Sequence, residues 1–284
     1  MIASLKTILK NLFGKKEKEI PAFDLVSAGT HPLDVEYSGF SGKVLNIPLS
    51  KCRSYLLGYL PEEHPFCATL KQYNLQKHSY HDSLLAKYYN NFQPKTMSDV
   101  LKIDSLVLSK YPAMATVMPW SYATPEQRMK RFCVEGSQSR LLAKEACQHG
   151  LSPTDNFGCQ FFGPVSDDHS KLEFQRLTAV NDKIVKDGYL PAEHGHIHGE
   201  FLIDGNEWVW VAIGGKHRFS VLSALDYSTI PVAKLSRWAN LYVRRAEVNY
   251  WPNVRNGLFS IEEALSIFDR IMMGESVSSY LEGK

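Results

Sequence analysis

The run VAIGGKHRFSVLSAL, residues 211–225, sets two glycines and three cationic side chains between a strand-like apolar stretch and a helix-like one. Gly214 and Gly215 permit backbone angles closed to other residues and let a ligand approach the main chain where strand becomes helix. The new helix would present unpaired N–H groups and the positive end of its dipole there, which favours an anion. Lys216, His217 and Arg218 add donors at the same point. Arg218 can grip phosphate oxygens two at a time, Lys216 is a mobile point charge, and His217 can donate a hydrogen bond or shuttle a proton near neutral pH. A phosphate-bearing ligand is the natural occupant. A plain glycine turn with solvated basic residues fits the same spacing.

Moving a phosphoryl group also requires a carboxylate that accepts a hydroxyl proton or helps hold magnesium. Glu173 is the first candidate, one helical turn from Arg176 in the segment before the glycine turn; a surface ion pair at i,i+3 is the alternative reading of both residues. Asp182 is a weaker second candidate. In HGHIHGE, His194, His196 and His198 alternate, so a strand would put all three on one face; two could reach a metal, although a solvated hairpin face accounts for them as well. Arg255, in WPNVRNG, either reaches toward a phosphate or belongs to a Pro/Gly linker.

The elements that must position these groups are readable from spacing. Leu172, Leu177, Val180 and Ile184 predict a helix stopped by Gly188, with Pro191 soon after. Asp204-Gly205 predicts a hairpin turn between two strands. Phe219, Val221, Leu222 and Leu225 predict the helix after the glycine turn, and TIPVAKL a strand after that. Upstream, GKVLNIPL and SLVLSKY read as strands. SYHDSLLAKYYNNF and TPEQRMKRFCVEGSQSRLLAKEACQHG read as helices, the second loosened near Gly136 and ended by Gly150. Ser260 and Glu263 mark the capped start of a C-terminal helix. The polar-tipped aromatics Tyr80, His81, Tyr88, Tyr89, Trp120 and Tyr122 could line a sugar or base pocket, but such residues more often pack an interface.

IGGKHRFSVLSALDYSTIPVAKL, preceded by LTAVNDKIVKDGYLP, resembles the ParB/sulfiredoxin-like superfamily, whose mark is a Gly-x-His-Arg or Gly-Glu-Arg-Arg turn after a strand, then a helix and an IPV strand. The resemblance covers roughly residues 160–236. It implies a nucleotide site in which Gly214, Gly215, Lys216, His217, Arg218 and Arg176 hold phosphates. Members of the superfamily are CTP-dependent DNA clamps, ATP-dependent sulfinic acid reductases and kinases for free serine. Lys216 stands where the reductases carry a nucleophilic cysteine, and the residues after Ser236 leave no room for the helix-turn-helix reader of the clamps. The kinase type is the one that fits. It implies transfer of a phosphoryl group from ATP or a related nucleotide, with magnesium, to a small hydroxyl acceptor such as an amino acid, sugar or glycan, with Glu173 as base and His217 beside it. A nucleotide-gated binding or scaffold module is the alternative, and a ParB-like DNA-binding or nuclease protein a weaker one.

The expected fold is α/β (α+β): a basic amphipathic helix at 1–19, a mixed region at 20–155, the ParB/sulfiredoxin-like domain at 156–236, and a linker and helix at 237–284. Ile2, Leu5, Ile8, Leu9, Leu12 and Phe13 line one side of the first helix, with Lys6, Lys10, Lys15 and Lys16 among or after them. That helix suits either an anionic membrane surface or docking on a protein. Thirty-two basic against 30 acidic side chains give a net charge of +2, too little for bulk binding to duplex DNA, so nucleic acid is an unlikely partner. The five cysteines, Cys52, Cys67, Cys133, Cys147 and Cys159, form no CxxC pair and fit a reducing cytoplasm; no apolar run is long enough to span a bilayer.

Overall fold

A computed structural model describes residues 23–25, 31–37, 44–130, 161–191, 195–234 and 241–282. The amphipathic segment 1–19, the stretch holding Gly136 and Gly150, and His194 lie outside the described residues. In chain order the elements are β1 (Phe23–Asp24), α1 (Pro32–Tyr37), β2 (Val44–Pro48), β3 (Cys52–Ser54), α2 (Pro65–Leu75), α3 (Leu84–Asn91), α4 (Met97–Leu101), α5 (Pro125–Met129), α6 (Asp167–Asp187), β4 (Ile197–Asp204), β5 (Glu207–Gly214), α7 (Lys216–Ala224), β6 (Thr229–Lys234), β7 (Tyr242–Arg244), α8 (Pro252–Arg255), α9 (Ile261–Met273) and α10 (Ser278–Glu282). The fold is mixed α/β.

The strands form one mixed sheet in the order β1-β2-β6-β4-β5-β3, with β7 also paired to β4. The sheet crosses the boundaries expected at 155 and 236, because β2 and β3 come from the first half of the chain and β7 from the segment after 236. β4 is the central strand. It runs antiparallel to β5 from His198 to Asp204, parallel to β6 through Ile197–Gly199, and parallel to β7 through Phe201–Ile203. Trp208 to Ala212 of β5 are all buried, as a strand covered on both faces requires. The hairpin expected at Asp204-Gly205 is present, with Asp204 paired to Glu207.

The helix over 167–187 ends at Gly188, whose φ of +76° halts it where expected, and Ser260 caps α9 in a reciprocal box with Glu263. Residues 105–111 are not a strand. The Ser105 hydroxyl accepts from the Leu108 N–H, and Leu108–Lys110 closes as a 3-10 turn that leaves Leu106 and Val107 exposed. WPNVRNG is not a linker either. Trp251 packs edge-on to Trp120 and nearly parallel to Phe268, while Asn253 is buried and its side-chain amide donates to the carbonyls of Met118, Ser121 and Ala123. Arg255 is exposed. Tyr88, Tyr89 and Trp120 are buried, and Tyr122 is exposed.

Among the described residues no helix is long and apolar enough to cross a membrane. Cys52 and Cys67 are buried free thiols, and burial pushes both above the ordinary thiol range.

Glu200, on β4, is a charge-bearing residue in the core. Its Oε1 accepts from Trp120 Nε1 at 2.6 Å, and burial raises its pKa from 4.5 to about 7, opposed only by that hydrogen bond. The Tyr55 hydroxyl, itself hydrogen-bonded with Arg128, lies within electrostatic reach. A carboxyl whose folded pKa is raised stabilises the native state below its unfolded value and withdraws that stability as pH rises through the folded one. The native chain should therefore lose about 3 kcal/mol between pH 4.5 and 7 on this account, to order of magnitude. Chemical denaturation across that range should show the loss. In Glu200→Gln it should be absent, with the variant the more stable at pH 8.

Candidate functional site

Three helices converge on the glycine turn: α7 begins in it, and α2 and α6 both pack against α7. Gly215 is the N-cap of α7 with φ +83° and ψ +30°, a left-handed conformation that glycine adopts at no steric cost. Gly215 has no side chain of its own with which to cap this end. Gly214 has no positive φ, and a Cβ there would meet His198 only at ordinary contact distance of 3.7 Å. The turn thus needs one glycine of the two for its backbone.

The three cations do not meet at one point. Successive residues of a helix lie about 100° apart around its axis, so neighbours in sequence face different surroundings. His217 turns inward, 14% exposed, and its Nε2 lies 2.7 Å from Glu173 Oε1. Its ring packs against Phe66 with centroids 5.5 Å apart. Lys216 places its ammonium over the Phe161 ring, 3.0 Å from the centroid, and acts on Glu173 electrostatically. Arg218 turns the other way and donates to the Gly195 carbonyl, which also accepts from the Tyr189 hydroxyl at 3.1 Å. Half-buried His196 and His198 lie in its field; burial and then Arg218 push both below the ordinary imidazole range.

Glu173 is buried, on the face of α6 that meets α7, and both oxygens are engaged: Oε1 with His217 and Oε2 with Arg176 at 3.1 Å. Burial alone would raise its pKa. His217, Arg176 and Lys216 outweigh that and hold the carboxyl below the usual range, so it is ionised. The i,i+3 pair with Arg176 is real but not a surface one, since Arg176 is 25% exposed and Glu173 8%.

Asp182 sits nine residues further along α6, about 13 Å by helical rise, where it pairs with Lys77 at 2.7 Å and accepts from the Tyr73 hydroxyl. The structure therefore brings together Glu173, Arg176, Lys216 and His217, and leaves Asp182, Arg255 and Arg218 elsewhere.

One residue at this site had no signal in the sequence. His64 caps α2: its Nδ1 accepts from the Phe66 N–H at 3.1 Å, and it is 7% exposed. Burial, with Lys216 and His217 adding to it, drives its pKa down to about 3. Only the fold brings residue 64 to residue 217. No protein-family model matches this sequence, and no curated protein shows significant similarity to it.

Proposed function

We propose that the chain is a nucleotide-dependent phosphotransferase acting on a small hydroxyl acceptor, with the Glu173–His217 pair at the glycine turn as its proton-accepting unit. The observation that carries this is the 2.7 Å contact between a buried carboxylate and an imidazole in the first turn of the helix that follows the glycine turn. Glu173 fixes His217 through Nε2, which leaves Nδ1 to take the acceptor's proton while Glu173 stabilises the cation that forms. Lys216 and the α7 N–H groups are suited to the phosphates.

The donor set fits magnesium only as an ion carried on the nucleotide. Among the described residues no group of three or more His, Cys, Asp or Glu could hold a metal, and such ions commonly take one or two carboxylates plus substrate phosphates. Bound in that way, magnesium would neutralise phosphate charge. The basic segment 1–19 suits, on its sequence alone, either docking on a protein or contact with an anionic membrane surface.

A second reading is favoured by one detail. Both Glu173 oxygens are already paired, which suits a nucleotide-gated binding module that does not turn over. Binding is the first test of both. ATP, ADP, CTP and GTP with magnesium should be screened by thermal shift on the native chain and on Lys216→Ala. At a hundred times Kd a ligand of the folded state stabilises by about 2.7 kcal/mol. A nucleotide-specific shift that weakens in Lys216→Ala is expected; no shift with any nucleotide overturns both readings, and phosphate release or transfer then separates them.

A further inference from the structure

Phe161 and Lys216 are far apart in the chain, and the fold sets the ammonium of one over the ring of the other, 3.0 Å from its centroid. The ring's own place is fixed by groups outside the glycine turn. The Phe161 carbonyl accepts from the Tyr88 hydroxyl at 2.6 Å, and the Gly163 N–H donates to the Phe92 carbonyl at 2.9 Å, so the segment is tied to α3 and its end on both sides of Phe162. Tyr88 is fully buried, and Phe162, 2% exposed, packs edge-on to Phe92. A Cβ on Gly163 would collide with the Tyr89 carbonyl oxygen, so this close approach of two backbones needs a glycine. The Phe161 ring itself leans on Tyr55, the residue after β3, with centroids 6.2 Å apart.

What such a berth does for a lysine follows from the freedom of its side chain. The ammonium sits on a flexible four-carbon stem, and confining it gives up as much rotamer entropy as any side chain carries. An aromatic face attracts the ammonium through its quadrupole. With the ring in place that entropy is lost on folding, before any ligand arrives, so an anion meets a cation already held. The face covers one side of a group with three N–H donors, which leaves the ammonium charged and directional. His217, the next residue of α7, meets Glu173 at 2.7 Å, so the held cation and the proton-accepting pair share one helical turn.

We propose that Phe161 is a positioning residue of this site, its ring holding the Lys216 ammonium where the phosphates of the nucleotide bind. The assignment rests on the phosphotransfer reading. It gives α3 and Tyr55, from the first half of the chain, the task of setting a cation that the glycine turn supplies.

Two substitutions separate this role from packing. Phe161→Leu removes the ring and keeps apolar bulk, while Phe161→Tyr keeps the ring face; the residue is half-buried, so both should fold, checked by melting without ligand. Protons held over an aromatic face resonate upfield. The native spectrum should therefore contain a lysine Cε–H signal displaced upfield that is missing in Lys216→Ala. That signal should return to the ordinary position in Phe161→Leu and stay displaced in Phe161→Tyr.

With magnesium and ATP as the probe, affinity should fall about three- to tenfold in Phe161→Leu, the scale of a partly desolvated cation–π contact, and stay near native in Phe161→Tyr. In a Lys216→Ala background, Phe161→Leu should weaken binding no further, because the ring acts only through that lysine. If the native chain binds ATP and Phe161→Leu binds it equally well, or weakens it by the same factor without Lys216, the assignment falls while the phosphotransfer reading stands. A native spectrum without the displaced signal also overturns the assignment and leaves the reading. If no nucleotide stabilises the native chain, the reading falls and takes the assignment with it.

Discussion

Glu173→Gln is expected to lower phosphoryl transfer by about 10²–10⁴-fold, the usual worth of a positioned base, while nucleotide affinity stays near native. Glutamine matches glutamate in shape and retains one acceptor oxygen, but its amide nitrogen must then face either Arg176 or His217, both of which now meet an oxygen. The charge that holds His217 in place and stabilises its protonated form is removed, and the phosphate-binding groups on α7 are left intact. Steady-state turnover read beside the thermal shift makes the distinction: a fall in kcat with an unchanged nucleotide shift supports the dyad, and unchanged turnover leaves the buried pair a structural one.

Acid adds an independent check. Because the carboxyl is held below its ordinary pKa, its contribution to stability is present above the unfolded value and lost as pH falls through the folded one. The native chain should lose stability in acid on this account, whereas Glu173→Gln should lack that part of the loss. Glu200 runs the other way, so the two carboxyls are separable by pH range as well as by substitution.

Gly199→Ala is expected to be the most damaging single-methyl change in the described sheet, costing at least about 4 kcal/mol, a size reserved for a few mechanisms of which forced overpacking is one. A Cβ at residue 199 would sit 2.0 Å from the Val211 carbonyl oxygen and 2.7 Å from the Trp210 ring. Neither neighbour can move freely. Val211 is bound into β5, Trp210 is fully buried, and Gly199 itself is paired to Ala212 on one side and Lys234 on the other, beside the register shift after His198. For a chain of this size the melting temperature should fall by roughly 8–16 °C. A fall of less than about 2 °C would show that the strands separate there more easily than their pairing implies.

What the sequence disclosed was local. The stop at Gly188, the Asp204-Gly205 hairpin, the Ser260 cap and the strand-turn-helix around Gly215 each depend on residues within one or two turns of each other, and each is present. Glu173 was legible as a candidate, but its environment was not, because burial and the contact with His217 are made across 44 positions of chain.

Reading Lys216, His217 and Arg218 as one cluster followed from adjacency in sequence, and a helix undoes adjacency by rotating each residue to a new side. Asn253, Glu200 and His64 gave no signal for the same reason. A polar residue announces itself in sequence by a pattern with its neighbours, whereas Asn253 and Glu200 take their partners from Met118 and Trp120, and His64, which caps its own helix locally, comes near His217 only through the packing of α2 on α7. The run 105–111 misled because Leu106, Val107 and Leu108 form a short continuous apolar stretch of the kind a buried strand shows, while the Ser105 hydroxyl offered the backbone a turn instead.

The pairing of β2 with β6 also has a consequence for synthesis. Val44 finds Ala233, and Cys52 finds Trp210, so β3, and the edge of β2 turned away from the short β1, have no strand partner until residues 207–234 are made. At the usual elongation rate of about 5–20 residues per second, β2 waits roughly ten to forty seconds on the ribosome with an apolar edge open. Helices α2, α3 and α4 can form locally in that interval, but the sheet cannot close. The chain is therefore a natural client of whatever shields nascent strands, and any slowing of translation before residue 233 lengthens its exposure to aggregation.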